Sequence, residues 1–244
     1  MWYTVPRIPL IEDLTKGPIS PGSALLVEFD AASQWYAASV AIAAGWLRTG
    51  GRVLYGVTSQ SPSKFRLKLS RQGLNTEELE RNDRLRIFDW YSATLGRKSE
   101  EKFPVDSLKV ADLSIWWSKA RLSGPPETEN LGIVDDLSIL DRFNDEKNWV
   151  EFVLTRIVPT TQMRKETGIR GVMNGVCKDS VYRRLEGGHD GIIDVRLDES
   201  GESPANLVRV RVMRDVDVDG RWHQFKVNPN NVSLQKIARS SPAS

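Results

Sequence analysis

Short apolar runs alternate with helical repeats along the first half of the chain. Ala24–Phe29 and Val53–Val57 are almost continuously apolar, which is typical of strands buried on both faces. Between these runs, apolar residues recur at helical spacing from Tyr36 to Leu47, and Gly50 and Gly51 end that segment. Two strands that need cover on both faces, joined through a helix, predict a parallel sheet with helices packed against it.

The same alternation continues towards the carboxyl end. Ser61 and Pro62 are a good helix start, because serine caps a helix and proline suits its first turn. Glu146 to Lys165 is predicted to be a helix that bends or breaks near Pro159. The other predicted elements are strands at Arg84–Trp90 and Leu131–Asp136, a helix at Val110–Arg121, and loops at Ile8–Ser23 and Ser123–Pro126.

From Ile169 onward the alternation favours strands. They are predicted at Gly171–Val176, Gly191–Leu197, Leu207–Met213 and Arg221–Val227, and the last two form an antiparallel pair across Asp217–Gly220. The predicted fold is therefore a three-layer α/β sandwich, with a mainly parallel central sheet and antiparallel edge strands at the carboxyl end. We expect one domain over residues 1–238 and a flexible tail over 239–244.

Composition excludes several classes of function. The chain has 244 residues, with 34 lysines and arginines against 32 acidic residues, so a uniformly basic nucleic-acid-binding surface is not expected. One cysteine, Cys177, allows no internal disulfide, and His189 and His223 are too few for a zinc site. No apolar run approaches the roughly 20 residues of a membrane span. These features predict a cytoplasmic protein without metal or other cofactor.

An ordered set of short motifs resembles a known family. The motifs are Ile8-Pro9-Leu10 with Asp13-Leu14, then Gly17, Ile19, Pro21-Gly22-Ser23, Leu26-Val27-Glu28, Gly51, Val53-Leu54-Tyr55, Ser61-Pro62, Gly73-Leu74, Leu85, Ile87, Asp89, Ile133-Val134-Asp135, Leu137-Ser138, Leu185, Asp190-Gly191-Ile192-Ile193 and Met213-Arg214. In this order they resemble the RecA-type ATPase core of KaiC-like proteins and recombinase paralogues. The resemblance covers nearly the whole chain and implies a RecA-like fold.

The resemblance places a phosphate-binding loop at residues 29–36, where the sequence departs from the G-x-x-x-x-G-K-[ST] pattern. Phe29 and Gln34 replace the two glycines, and Asp30 lies between them. Trp35 stands at the lysine position and Tyr36 at the Ser/Thr position. An indole supplies no cation, and its bulk takes the space that a phosphate needs. The expected cradle for ATP is therefore degenerate.

Catalytic positions of the resembled family are also replaced. Ser59 and Gln60 stand where the family commonly has paired glutamates, and neither is a general base at neutral pH. Val212 replaces a lysine that reaches a neighbouring subunit's nucleotide, and Asp215 replaces the glycine that follows Met-Arg. Asp135 alone keeps the carboxylate at the magnesium-orienting strand end. We therefore predict no catalytic residue and no bound nucleotide.

The leading interpretation is a non-catalytic pseudo-ATPase that acts as a scaffold or regulatory subunit. Its expected partners are copies of itself or another RecA-like subunit, through an interface that includes Trp35, Tyr36, Val212, Arg214 and Asp215. Trp35 and Tyr36 are interpreted first as filling a vacated nucleotide pocket and second as a docking plug. The Asp135-Asp136 pair is interpreted as a cap rather than a metal site.

Two alternatives remain open. In the first, the chain is a DNA-binding subunit of the recombinase-paralogue kind. Lys64, Lys68 and Arg71 would then contact phosphates, since they recur on one face of the predicted helix. A solvated helix face is the commoner explanation of such a stripe. In the second alternative, the chain is an ATPase with an atypical phosphate loop.

Overall fold

A computed structural model describes residues 7–122, 130–228 and 231–235. The strands form one sheet in the order β10-β9-β8-β7-β1-β6-β5-β2-β3-β4. They are β1 Ala24–Phe29, β2 Arg52–Val57, β3 Leu85–Asp89, β4 Phe103–Pro104, β5 Asn130–Val134, β6 Thr167–Met173, β7 Gly191–Asp198, β8 Ala205–Met213, β9 His223–Asn228 and β10 Asn231–Leu234. Neighbours from β7 to β4 are parallel, whereas β7 to β10 pair antiparallel.

Helices cover the parallel part of the sheet on both faces. They are α1 Trp35–Arg48, α2 Pro62–Arg71, α3 Thr76–Arg81, α4 Trp90–Thr94, α5 Val110–Leu122, α6 Glu146–Phe152, α7 Val158–Met163 and α8 Asp179–Gly188. A 3-10 turn at Ser138–Arg142 and a π-helical turn at Val153–Ile157 complete the list. The expected α/β sandwich with a parallel centre and an antiparallel edge is confirmed.

Side chains on β1 show how the two faces are used. Leu25, Val27 and Phe29 belong to the apolar core shared with α1 and α2. Ala24 and Leu26 point into the second core, which α6 and α8 help to form. Glu28 is also on that second face and is buried. Continuous burial of β1 explains why its sequence is an apolar run rather than an alternating one.

Several local expectations need correction. The strand expected at Gly171–Val176 runs instead from Thr167 to Met173, because its register is set by pairing with β1 and β5. The helix expected at Glu146–Lys165 ends at Met163, and its predicted break near Pro159 is present as the π-helical turn at Val153–Ile157. Helix α8 had no counterpart among the predicted elements.

The opening segment is more buried than a lead-in loop. Ile8, Leu10, Ile11 and Leu14 join the core beneath α1, although residues 8–23 contain no helix or strand. The predicted loop at Ser123–Pro126 and the predicted tail at 239–244 lie outside the described residues. In the ranges that are described, no helix is long and apolar enough to cross a bilayer.

Candidate functional site

The turn at residues 30–34 connects β1 to α1 at the carboxyl edge of the parallel strands. Two of its backbone donors bond to a neighbouring strand pair. The Asp30 N–H donates to the carbonyl of Val195 at 3.0 Å, and the Gln34 N–H donates to the side-chain oxygen of Asn206 at 2.7 Å. An anion at this turn would have to displace these acceptors, since a backbone N–H donates well to one partner at a time.

Trp35 turns inward at the start of α1. Its side chain is 1% exposed, and its indole N–H donates to the backbone carbonyl of Asp135 at 2.8 Å. Gly171 lies against the same atoms: a Cβ there would lie 2.1 Å from the Asp135 carbonyl oxygen and 2.6 Å from the indole nitrogen. The indole therefore fills the space between the ends of β1, β5 and β6.

Tyr36 closes the same region from the outer side. Its hydroxyl donates to Asp136 at 3.2 Å, and its ring packs edge-on against Phe29 with 5.2 Å between centroids. Burial, together with the Asp136 and Asp135 charges, raises the pKa of Tyr36 well above its usual range, so the hydroxyl remains a donor. Asp136 also accepts from the backbone N–H of Ser138 at 2.9 Å, as a cap of the 3-10 turn does.

Asp135 is fully buried at the end of β5. One carboxylate oxygen accepts the N–H and the hydroxyl of Thr58 at 2.9 and 2.7 Å, and the other accepts the Ser59 hydroxyl at 2.7 Å. Burial raises the pKa of Asp135 above its usual value, and these hydrogen bonds oppose that rise. Burial also raises the pKa of Asp136 to about 6.

Ser59 and Gln60 follow β2 and precede α2. The Ser59 hydroxyl is held by Asp135. Gln60 is buried, and among the described residues its side-chain nitrogen has no hydrogen-bond partner. Ser61 caps α2 by accepting from the Lys64 N–H at 3.4 Å, as its sequence position predicts. Neither residue 59 nor residue 60 offers a carboxylate to polarise water.

The predicted interface residues divide between the two ends of the β1–β7 pairing. Val195 pairs with Phe29 beside the 30–34 turn, whereas Gly191 pairs with Met213 at the opposite end. Val212 is 46% exposed there. Arg214 donates to the carbonyl of Gly187 at 2.8 Å, and Asp215 is exposed. Trp35, by contrast, is buried, so it cannot contact a partner directly and can only pack beneath the surface residues of the turn.

Only two of the three basic residues predicted to form a stripe on α2 lie on one surface groove. Lys68 and Arg71 line a groove between α2, α1 and the end of β9, whereas Lys64 lies outside its lining. Burial lowers the pKa of Lys68, the Asp135 charge opposes part of this shift, and the neighbouring Lys64 charge adds to it. Sequence reasoning did not predict that Val227 and Asn228 of β9 would form the other wall, because that contact joins residues about 160 positions apart.

A charged cluster between β1, β7, β8 and α8 was also not predicted. Arg211 donates to Glu28 at 2.7 Å and also pairs with Asp194 and Glu186. Arg209 pairs with Asp194 at 2.5 Å. Burial raises the pKa of Glu28 from its usual 4.5 to about 7. The cluster ties the antiparallel extension to the parallel sheet.

The remaining nucleophilic and ligand-type residues have structural environments. His189 is buried, its ring nitrogen Nδ1 lies 2.7 Å from the Leu185 carbonyl, and burial lowers its pKa to about 3. Burial raises the pKa of the Cys177 thiol to about 12, so the thiolate is scarce. Within the described part of the chain, no group of three or more His, Cys, Asp or Glu residues is arranged to hold a metal ion.

Comparison with solved structures identifies the architecture. The crystal structure of a KaiC-like protein from the hyperthermophilic archaeon Pyrococcus horikoshii OT3 superposes with a TM-score of 0.72. The match covers 96% of this chain and 99% of that chain, at 14% sequence identity. The fold is RecA-type and KaiC-like. At this identity the likeness establishes the fold alone. No protein-family model matches the chain, and no curated protein matches it.

Proposed function

We propose that this KaiC-like chain is a pseudo-ATPase that acts through protein association as a scaffold or regulatory subunit. The observation that carries the proposal is the burial of Trp35, whose indole donates to the Asp135 carbonyl where the resembled family binds phosphate. Protein interiors are close-packed, so an indole in that space leaves no room for a phosphate group.

The chemistry around Trp35 supports the same conclusion. The turn contributes no lysine, and two of its backbone donors are taken by Val195 and Asn206. Both oxygens of the Asp135 carboxylate are engaged by Thr58 and Ser59, which leaves the carboxylate poorly placed to orient hydrated magnesium. Loss of the cation, the cradle and the general base together is more consistent with abandoned ATP chemistry than with one altered residue.

Calorimetry with ATP and magnesium tests the proposal. We expect no heat of binding and no turnover, and no rise in melting temperature on adding the nucleotide, because specific binding stabilises the folded state. A dissociation constant tighter than about 100 μM, near −5.5 kcal/mol, would refute the proposal. That result would favour the remaining enzyme alternative, an ATPase with an atypical phosphate loop.

Association is proposed to be head-to-tail. The 30–34 turn and the Val212–Asp215 segment lie at opposite ends of the β1–β7 pairing, so they form two different patches, as a heterologous contact between neighbouring copies requires. Trp35→Lys would test folding rather than association, since Trp35 is buried. Val212→Asp is the sharper probe, because Val212 is 46% exposed.

Light scattering measures the outcome. We expect the wild type to form an oligomer, alone or with a RecA-like partner, and Val212→Asp to weaken association at least fivefold. Leu95→Asp is the matched control, since Leu95 is 47% exposed and lies near β3 and β4, away from both segments. A wild type that stays monomeric with every partner tried, or equal effects of the two variants, would contradict the interface.

DNA binding is the second candidate. The observation that favours DNA binding is that Lys68 and Arg71 lie on one groove. If they contact phosphates, affinity must fall steeply between low and physiological salt, and replacing Lys64, Lys68 and Arg71 by alanine must flatten that slope. We expect weak binding that does not depend on sequence. Tight binding at physiological salt that the triple variant loses would make this the leading function.

A further inference from the structure

A groove of about 360 Å³ lies between α1, α2 and the end of β9. Its floor is apolar and is formed by Ala37, Val40 and Val227. Lys68 and Arg71 stand along the α2 wall. Six of the seven lining residues belong to α1, α2 and β9, and the seventh, Gln72, follows the last residue of α2.

The cations on the two faces of α2 differ in whether a carboxylate pairs with them. On one face, Arg66 is held by Glu80 at 2.6 Å and by Glu101 at 2.5 Å. On the groove face, Lys68 and Arg71 have no carboxylate oxygen within 4.0 Å among the described residues. Burial of Lys68 disfavours its charged form, and the Asp135 charge, which lies beyond 4.0 Å, offsets only part of that effect; Arg71 is exposed beside it. The groove is therefore suited to an anionic occupant.

We propose that this groove docks an acidic segment of a partner protein, in which an aliphatic side chain is flanked by carboxylates. The apolar floor takes the aliphatic group, and Lys68 and Arg71 pair with the carboxylates. This proposal rests on the proposed function, because it names the kind of partner through which the subunit acts.

A nucleic acid fits these features less well. Its phosphates would satisfy the cations, but its backbone has no aliphatic group to cover Ala37, Val40 and Val227. Nucleic-acid affinity also comes from many phosphate contacts, whereas two cations line this groove and the chain's formal net charge is only +2. Burial of apolar surface beside a charge-assisted pair is instead the usual arrangement of a peptide anchor.

Selection from a random twelve-residue phage-displayed peptide library tests the proposal. The wild type is the target, and the double variant Lys68→Glu with Arg71→Glu is used for counter-selection. We expect enriched peptides to carry Asp or Glu within two residues of Leu, Ile or Val. Their dissociation constants, measured by fluorescence anisotropy with synthetic labelled peptides, should rise at least tenfold on the double variant.

The double variant Arg97→Glu with Lys98→Glu is the matched control. It makes the same change in net charge at two exposed positions after α4, and should change affinity less than twofold. Circular dichroism checks that both variants stay folded. Nuclear magnetic resonance on ¹⁵N-labelled wild type should localise peptide-induced shifts to Ala37, Val40 and Val227.

Three results would overturn the proposal. They are a selection without enrichment, enriched peptides that bind both charge-reversed variants equally, and tighter binding of a labelled 20-nucleotide oligothymidylate that requires Lys68 and Arg71. The last would assign the groove to nucleic acid. Calorimetry with ATP tests the proposed function independently. If the groove binds no acidic peptide and the protein binds no ATP, the docking site is wrong but the pseudo-ATPase proposal stands.

Discussion

Removing the indole of Trp35 is the most direct test of how the β1–α1 junction is held. Trp35→Ala deletes a side chain that is 1% exposed and packs against Phe29 with 6.0 Å between ring centroids. Replacing a buried tryptophan by alanine destabilises a protein by about 3–5 kcal/mol. The Asp135 carbonyl also loses its indole donor, which adds about 1 kcal/mol. The expected total is about 4–6 kcal/mol.

Urea denaturation followed by far-ultraviolet circular dichroism measures this loss. Trp35→Phe is the intermediate variant, because it keeps a six-membered ring but removes the N–H donor and two ring carbons, so about 1–3 kcal/mol is expected. Trp222→Ala is the matched control: Trp222 is only half-buried, beside Arg196 and Arg209, and should cost less than about 2 kcal/mol. If Trp35→Ala cost no more than Trp222→Ala, the space-filling role would be refuted.

Three further variants test other parts of the site. Gly171→Ala should lower the free energy of unfolding by more than about 3 kcal/mol in urea denaturation, because its Cβ would lie 2.1 Å from a backbone oxygen; a loss below 1 kcal/mol, on the order of a surface change, would contradict that contact. Glu28→Gln should flatten the stability profile between pH 4.5 and 7: with the pKa of Glu28 raised to about 7, the folded state keeps a proton that the unfolded state has lost, so wild-type stability falls as pH rises through this window. Parallel wild-type and variant profiles would show that the proton sits elsewhere in the cluster with Arg211. Ser61→Ala should lower the melting temperature through loss of the α2 cap, about 1 kcal/mol by thermal denaturation, whereas Ser63→Ala on the first turn should have little effect.

Much of the architecture follows from local sequence. The apolar run at Ala24–Phe29 predicted a strand covered on both faces, and β1 lies at the centre of the sheet. Ser61 and Pro62 predicted the start of α2, where the cap forms as expected. These signals are reliable because burial period and capping chemistry depend on residues that are close in the chain.

The tertiary structure decided what the sequence could not. Trp35 fills the interior, donates to the Asp135 carbonyl and packs against Gly171 because the ends of β1, β5 and β6 meet there. These residues are up to 136 positions apart in the chain, so local sequence could not predict the contacts. The groove beside Lys68 likewise requires β9, the strand that follows β7 and β8 in the antiparallel part of the sheet, to lie next to α1 and α2. A sequence shows that basic residues recur on one helix face, but it does not show whether carboxylates from other segments pair with them. Only the packing of distant segments determines which face is paired, as at Arg66, and which is left unpaired.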